Sequence, residues 1–313
     1  MSRSAAAGEE PGDRLRLLFA CCHPRLKDDE QIALVLHAVC GLGARETAYC
    51  LLTSVAAVEK RLVRGKSLLA SSNGVFYFES GEAVTRLAVV QRALHLLFNE
   101  AYHNARTDIC SKTIALVQLL LGHRDAQIGS TYGLAALMCL HAARLPARTG
   151  ASGQHVPLEM QDRSKWDPML VAEGFAYLEQ SARRWEPAEY QIEAAIAAVH
   201  ASAPSAEETD WNAIIDLYDS LFVLRPSAIV ALNRAIAVGR RTGPERGLEE
   251  VLSISGDEVL ETYPFYWATL GEFALGSGKR NEAKRAFRKA REIARNPFER
   301  DHYAARIAAC SAA

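Results

Sequence analysis

The sequence has 313 residues, 49% of them hydrophobic and 23% charged, a composition that excludes a mainly disordered or collagen-like chain and leaves room for about two domains. No apolar run approaches the roughly 18–20 residues of a membrane-spanning helix, and the N-terminal segment lacks the apolar core of a secretory signal. The formal net charge of −1 excludes a polycation that coats nucleic acid with its whole surface, so any such binding must come from a local patch.

Apolar residues recur at spacings of three and four almost throughout, as in Ile32, Val35, Leu36, Val39 and Cys40, which predicts an all-α fold. Residues 28–40, 44–52 and 54–69 read as three helices, broken at Gly41-Leu42-Gly43 and at Thr53-Ser54. Two short helices followed by a longer basic one is a helix-turn-helix arrangement. At 100° per residue, Val55, Val58, Leu62 and Leu69 fall on one stripe, predicted to pack on Ala48 and Leu51. The opposite face presents Thr53, Ala56, Ala57, Lys60 and Arg64. Between Gly43 and Ala70, Arg45, Lys60, Arg61, Arg64 and Lys66 outnumber Glu46 and Glu59, a local +3. Basic side chains on one exposed helix face suit phosphate contacts, although a plain solvated face has the same composition. Ala56 and Ala57 offer only apolar contact to a thymine methyl, so such binding would discriminate poorly between sequences.

The Ser71-Ser72-Asn73-Gly74 turn cluster closes this segment, which sets a small helical domain at residues 13–72 and a larger helical array at 75–311. A long irregular stretch at 145–166 interrupts the array, and 150–158 is the best candidate for a short hairpin. Asp167 before Pro168 predicts a capped helix start, and Ser205 with Glu208 reads as a capping box. Near the C-terminus, Trp267, Leu270, Gly271, Ala283, Phe287 and Ala290 match the tetratricopeptide pattern in type and spacing, with Gly278 at the inter-helix turn. Tyr218, Leu221 and Pro226, and then residues 232–252 around Gly243, form looser copies. A tetratricopeptide-like stack of helix pairs is therefore expected from about 210 onward.

The candidates for chemistry are few. His95, Asn99, Glu100 and His103 share one helical neighbourhood, and Glu100-x-x-His103 has di-iron spacing, but the second motif and extra glutamates of such a site are missing. A buried polar pair bonding the backbone or Tyr102 is expected there. Cys21-Cys22-His23 lacks a second ligand pair for zinc. Asp162 and Arg163, between Gln161 and Trp166, are expected to form a hydrogen-bonded pair that locks the irregular stretch onto the helices. The seven cysteines sit mostly within apolar helical patterns and read as small buried hydrophobes of a cytoplasmic protein. No phosphate loop, nucleophile elbow or Ser/His/Asp constellation is evident. The residues thus imply no enzyme, no catalytic residue, no cofactor and no metal.

The stretch from Asp13-Arg-Leu-Arg-Leu-Leu-Phe-Ala-Cys-Cys-His-Pro-Arg-Leu through Lys60-Arg-Leu-Val-Arg-Gly-Lys resembles region 4 of extracytoplasmic-function (ECF) RNA polymerase sigma factors. The similarity is to the subgroup with a tetratricopeptide-like C-terminal extension. Leu97-Phe98-Asn99-Glu100-Ala101-Tyr102 resembles that subgroup's Phe-Asn-Glu-Gly-Tyr helix, and Gln161-Asp162-Arg163-Ser164-Lys165-Trp166-Asp167 its Asp-Gln-Asp-Arg-Ser-Arg-Trp-Asp loop. The segments 194–201 and 226–238 are similar too, so the resemblance covers nearly the whole sequence. It implies a transcription-initiation protein whose region 4 recognises the −35 promoter element and contacts core RNA polymerase, while the extension regulates or contacts a protein partner. Carried over by position, the recognition helix is 54–66, with Arg61, Arg64 and Lys66 matching. The sequence departs from the family at Val55 and Ala57, where Glu and Thr are usual, and at Thr47, Gly65 and Met160, where Ile, Ala and Asp are usual. It begins near the inter-region linker, and no segment resembles region 2, which melts the −10 element. The expectation is weak DNA binding without promoter opening. The alternative is a tetratricopeptide-like interaction scaffold with a degenerate DNA-binding domain.

Overall fold

The computed structural model describes residues 11–23, 25–51, 53–71, 80–150, 156–184, 189–294 and 297–311. Every regular element among its described residues is a helix, with no strand. The turn expected at 71–74 and the hairpin expected at 150–158 fall largely outside the described residues. Chain contacts divide the molecule into two compact units, the first from residues 1–148 and 164–194, the second from 149–163 and 195–313.

The first unit contains α1 (Pro11–Cys21), α2 (Asp28–Leu34), α3 (Ala44–Cys50), α4 (Val55–Ser71), α5 (Ser80–His103), α6 (Thr107–Leu121), α7 (Gly129–Ala142), α8 (Leu145–Arg148) and α9 (Pro168–Ala182). It ends within α10 (Glu189–Ser202). The helix expected at 28–40 is regular only to Leu34; from Val35 to Val39 it widens into a π-turn, with the Cys40 N–H donating to the Val35 carbonyl at 2.9 Å. One continuous core runs from Leu18, Leu34, Leu36 and Val58 through Leu94, Phe98 and Leu116 to Leu134 and Met138. The small N-terminal helices therefore bury their apolar faces in the same core as α5–α7. Cys21, Cys22, Cys110 and Cys139 are buried in it as small hydrophobes, and burial pushes the Cys21, Cys110 and Cys139 thiols up to about 12. Helix α7 is buried on nearly every side. It packs on α9 through Gly174, where an added Cβ would lie 2.7 Å from Leu140. Asp167 caps α9 as expected, accepting from the N–H groups of Met169 and Leu170, with Pro168 at the first position.

The second unit completes α10 and continues with α11 (Trp211–Leu224), α12 (Ala228–Thr242), α13 (Pro244–Ser253), α14 (Glu258–Glu261), α15 (Pro264–Gly276), α16 (Arg280–Glu292) and α17 (Pro297–Ala309). The longer helices pack in sequence order, α11 on α12, α12 on α13, α13 on α15, α15 on α16 and α16 on α17. The expected pairs are present. Gly243 and Gly278 turn between pair members with φ of +107° and +75°, where a side chain would be strained. Phe287 is completely buried on the α15–α16 contact. An added Cβ on Gly271 would meet its ring at 2.8–2.9 Å. The small residue and the ring are thus matched, as the repeat pattern requires. The capping box at Ser205 is corrected: its hydroxyl accepts from the Glu208 N–H at 3.3 Å, but within a turn. The helix begins at Trp211, and its cap is Asp210.

Candidate nucleic-acid interface

Helices α3 and α4 are joined by a short turn and packed against each other, with α2 also against α4. The chain enters α3 through Gly43, whose N–H is bound by the Glu46 carboxylate at 2.8 Å. It enters α4 through Ser54, whose hydroxyl accepts from the Ala57 N–H at 3.2 Å. Val58 and Leu62 point inward and are buried, and Leu69 is half-buried. Val55 departs from the expected stripe and is 38% exposed. Gly65 is explained by closeness: a Cβ there would lie 2.6 Å from Leu34, buried on α2. Thr47 on α3 is fully buried, and its hydroxyl has no hydrogen-bond partner.

The outward face of α4 carries Ala56, Lys60 and Arg64, all exposed, with Thr53 and Ala57 half-buried beside them. Arg45 on α3 is exposed as well. Arg64 keeps 68% of its side chain in solvent, although Glu30 lies 3.9 Å away. Lys66 is exposed, and its ammonium reaches His37 Nε2 at 3.3 Å. The other ring nitrogen of His37 lies 2.8 Å from the Leu42 carbonyl. It donates there, leaving Nε2 to accept from Lys66. Arg61 behaves differently from its sequence neighbours. It turns toward α2, bonds the Asp29 carboxylate at 2.8 Å and is only 24% exposed. Its charge is thereby committed within the protein. The sequence reading also missed Val63, 67% exposed between the basic residues, which gives the face an apolar strip.

The downstream motif residues occupy two separate environments. In the first unit the Asn99 amide donates to His95 Nε2 at 3.1 Å, and the Glu193 carboxylate lies 3.8 Å from the same nitrogen. Burial pushes the Glu193 carboxyl up to about 7. Tyr190 meets the His95 ring edge-on at 5.0 Å. The Glu100 carbonyl accepts from the Asn104 amide at 2.8 Å, while Tyr102 is buried in the core. Trp166 is also buried, with the Arg144 guanidinium 5.7 Å from its ring. In the second unit the Gln161 amide donates to the Val156 carbonyl at 3.0 Å. Asp162 is exposed. The irregular stretch is anchored by Arg163, which donates to the His200 carbonyl at 2.7 Å, to the Ala203 carbonyl and to Thr209 Oγ1 at 3.2 Å. Carbonyls at the end of a helix lack intrahelical donors, and Arg163 supplies them for α10. Among the described residues no three His, Cys, Asp or Glu side chains converge on a metal position.

A small helix-turn-helix element embedded in a helical unit, followed by stacked helix pairs, is the class of protein this architecture defines. Residues 86–182 match a family described as Family of unknown function (DUF6596). Over 296 residues the chain is 40% identical to an uncharacterized protein of Rhizobium meliloti (strain 1021), covering 92% of this chain and 69% of that protein. The chain belongs to the same family as that protein.

Proposed function

We propose that this chain is a sigma-factor-like transcription-initiation protein of the cytoplasm, in which α3 and α4 dock on the −35 region of promoter DNA and contact core RNA polymerase. The helical array then acts as a regulatory or partner-contact module. The observation that carries this reading is the solvent-facing set Arg45, Lys60 and Arg64, while Arg61 is consumed by Asp29. Exposed cations on one side of a helix-turn-helix suit phosphate anchoring, and Ala56 and Val63 between them suit apolar contact more than hydrogen-bonded base reading. Among the described residues no helix is long and apolar enough to cross a membrane.

The test is a gel shift on duplex DNA over a salt series. Each phosphate contact contributes about −0.9 to the slope of log affinity against log salt, so K60A/R64A should flatten that slope by roughly 2. Arg61→Ala should leave the slope unchanged and lower stability instead. Absence of a shift at low salt, or equal slopes for wild type and K60A/R64A, would reject DNA binding through α4. The second reading, an interaction scaffold with a degenerate DNA-binding element, draws support from Phe222, Val223 and Leu224, which leave α11 with an exposed apolar end.

A further inference from the structure

Arg148 closes the short helix α8 and is 6% exposed. Its guanidinium carbon lies 3.8 Å from the centre of the Tyr102 ring, so the cation sits over that ring. Its Nη1 is buried without a hydrogen-bond partner. No carboxylate forms an ion pair with it among the described residues. Asp108, on the neighbouring α6, is held by Arg106 through bonds of 3.0 and 3.1 Å. Cys110 on the same helix remains a neutral thiol, since burial pushes it up to about 12, and so supplies no counter-charge. Tyr102 is 8% exposed, and its hydroxyl is a second buried group without a partner. The His141 ring lies nearly parallel to Tyr102, 5.4 Å away. A buried guanidinium nitrogen without an acceptor, on a cation that no described carboxylate pairs, is an expensive arrangement that an apolar side chain would avoid.

We infer that Arg148 and Tyr102 form a binding site for a small oxyanion, a phosphate or carboxylate group, built into the first unit. Besides the enclosed Nη1, the Arg148 guanidinium has further N–H groups that can meet an in-plane acceptor, the geometry that suits both groups. The Tyr102 hydroxyl adds a neutral donor. The site explains why Tyr102, a member of the Phe98–Tyr102 motif, carries a buried hydroxyl where a phenylalanine would fill the same core volume. It goes beyond the proposed DNA-binding role and does not depend on what α4 contacts.

The experiment compares full-length wild type, Arg148→Met and Tyr102→Phe by thermal melting and titration calorimetry. Inorganic phosphate and acetate are the probes, with chloride at matched ionic strength as the reference. In wild type the melting temperature should climb with the logarithm of probe concentration over about two decades above the dissociation constant. A response to phosphate alone identifies a phosphate site, to acetate alone a carboxylate site, and to both a general oxyanion site. Arg148→Met should melt higher than wild type in chloride, because an uncompensated buried charge is gone, and should lose the probe response. Tyr102→Phe should fold normally and bind at least tenfold more weakly. A wild type that responds to neither probe beyond chloride, or variants that keep the full response, would overturn the assignment. Arg148→Met that melts lower in chloride, with wild type unresponsive, would make Arg148 a structural cation and overturn it as well.

Discussion

The contact between Phe287 and Gly271 allows a prediction whose sign reverses with background. Phe287 is 0% exposed, so Phe287→Ala removes a fully buried ring and should cost about 3–5 kcal/mol. Gly271→Ala alone places a methyl 2.8–2.9 Å from that ring. Overpacking of this kind costs roughly 1–3 kcal/mol, against about 1 kcal/mol gained by replacing glycine within a helix. The single variant should therefore be neutral to destabilising. Once Phe287 is alanine the clash is gone, the methyl fills part of the cavity, and Gly271→Ala should stabilise by about 1 kcal/mol. The cycle thus predicts a favourable coupling of roughly 1–3 kcal/mol between the two substitutions. Native-state hydrogen exchange at amides of α15 and α16 reports the opening free energy of this region without requiring both units to unfold together. A loss below about 1 kcal/mol for Phe287→Ala, or a Gly271→Ala effect identical in both backgrounds, would refute the packing argument.

Two further outcomes test the first unit. Glu193 holds its proton up to about 7 in the folded chain, against an ordinary value of 4.5. Native protein thus keeps a proton that the unfolded chain has released, and this stability is complete at low pH and lost as pH rises through 7. Unfolding free energies from urea titrations should fall between about pH 5 and pH 7.5, by roughly 1–3 kcal/mol, and Glu193→Gln should remove most of that slope; equal slopes would reject it. Thr47→Val deletes a buried hydroxyl that has no partner and should raise stability by about 1 kcal/mol in the same urea assay, with a loss of stability counting against it.

The sequence made the helices readable because their signals are local. Asp167 and Pro168 act within one turn, and Gly271, Ala283, Phe287 and Ala290 repeat a spacing set by two neighbouring helices. What failed to show were features that depend on distant partners. Arg61 looks like Arg64 on a helical wheel, yet Asp29, over thirty residues earlier, captures it. Val55 satisfies the angular rule yet is 38% exposed, while Val58 one turn on is fully buried. The π-turn at 35–39 arises from one extra residue in a hydrogen-bonded turn, which leaves the apolar spacing almost unchanged. Arg163 was visible as an anchor, but its acceptors are main-chain carbonyls, which carry no residue-type signature. Arg148 follows Leu145-Pro146-Ala147 in a stretch without periodicity, and its position over the Tyr102 ring becomes apparent only once the two segments are brought together.

The chain leaves the first unit after residue 148, contributes 149–163 to the second, and returns with 164–194. That interleaving has a consequence during synthesis. Helix α7 is almost entirely apolar at its surface and needs α9 to cover it, so the nascent first unit carries an open flank until residues 168–182 leave the ribosome. At roughly 5–20 residues per second this flank stays uncovered for several seconds, long enough for chaperones to engage it. Dissection of the protein follows the same logic. A fragment cut at 148 keeps every helix of the candidate DNA-binding face and strips the lid from Ala136 and Leu140, so it should aggregate although the face itself is intact.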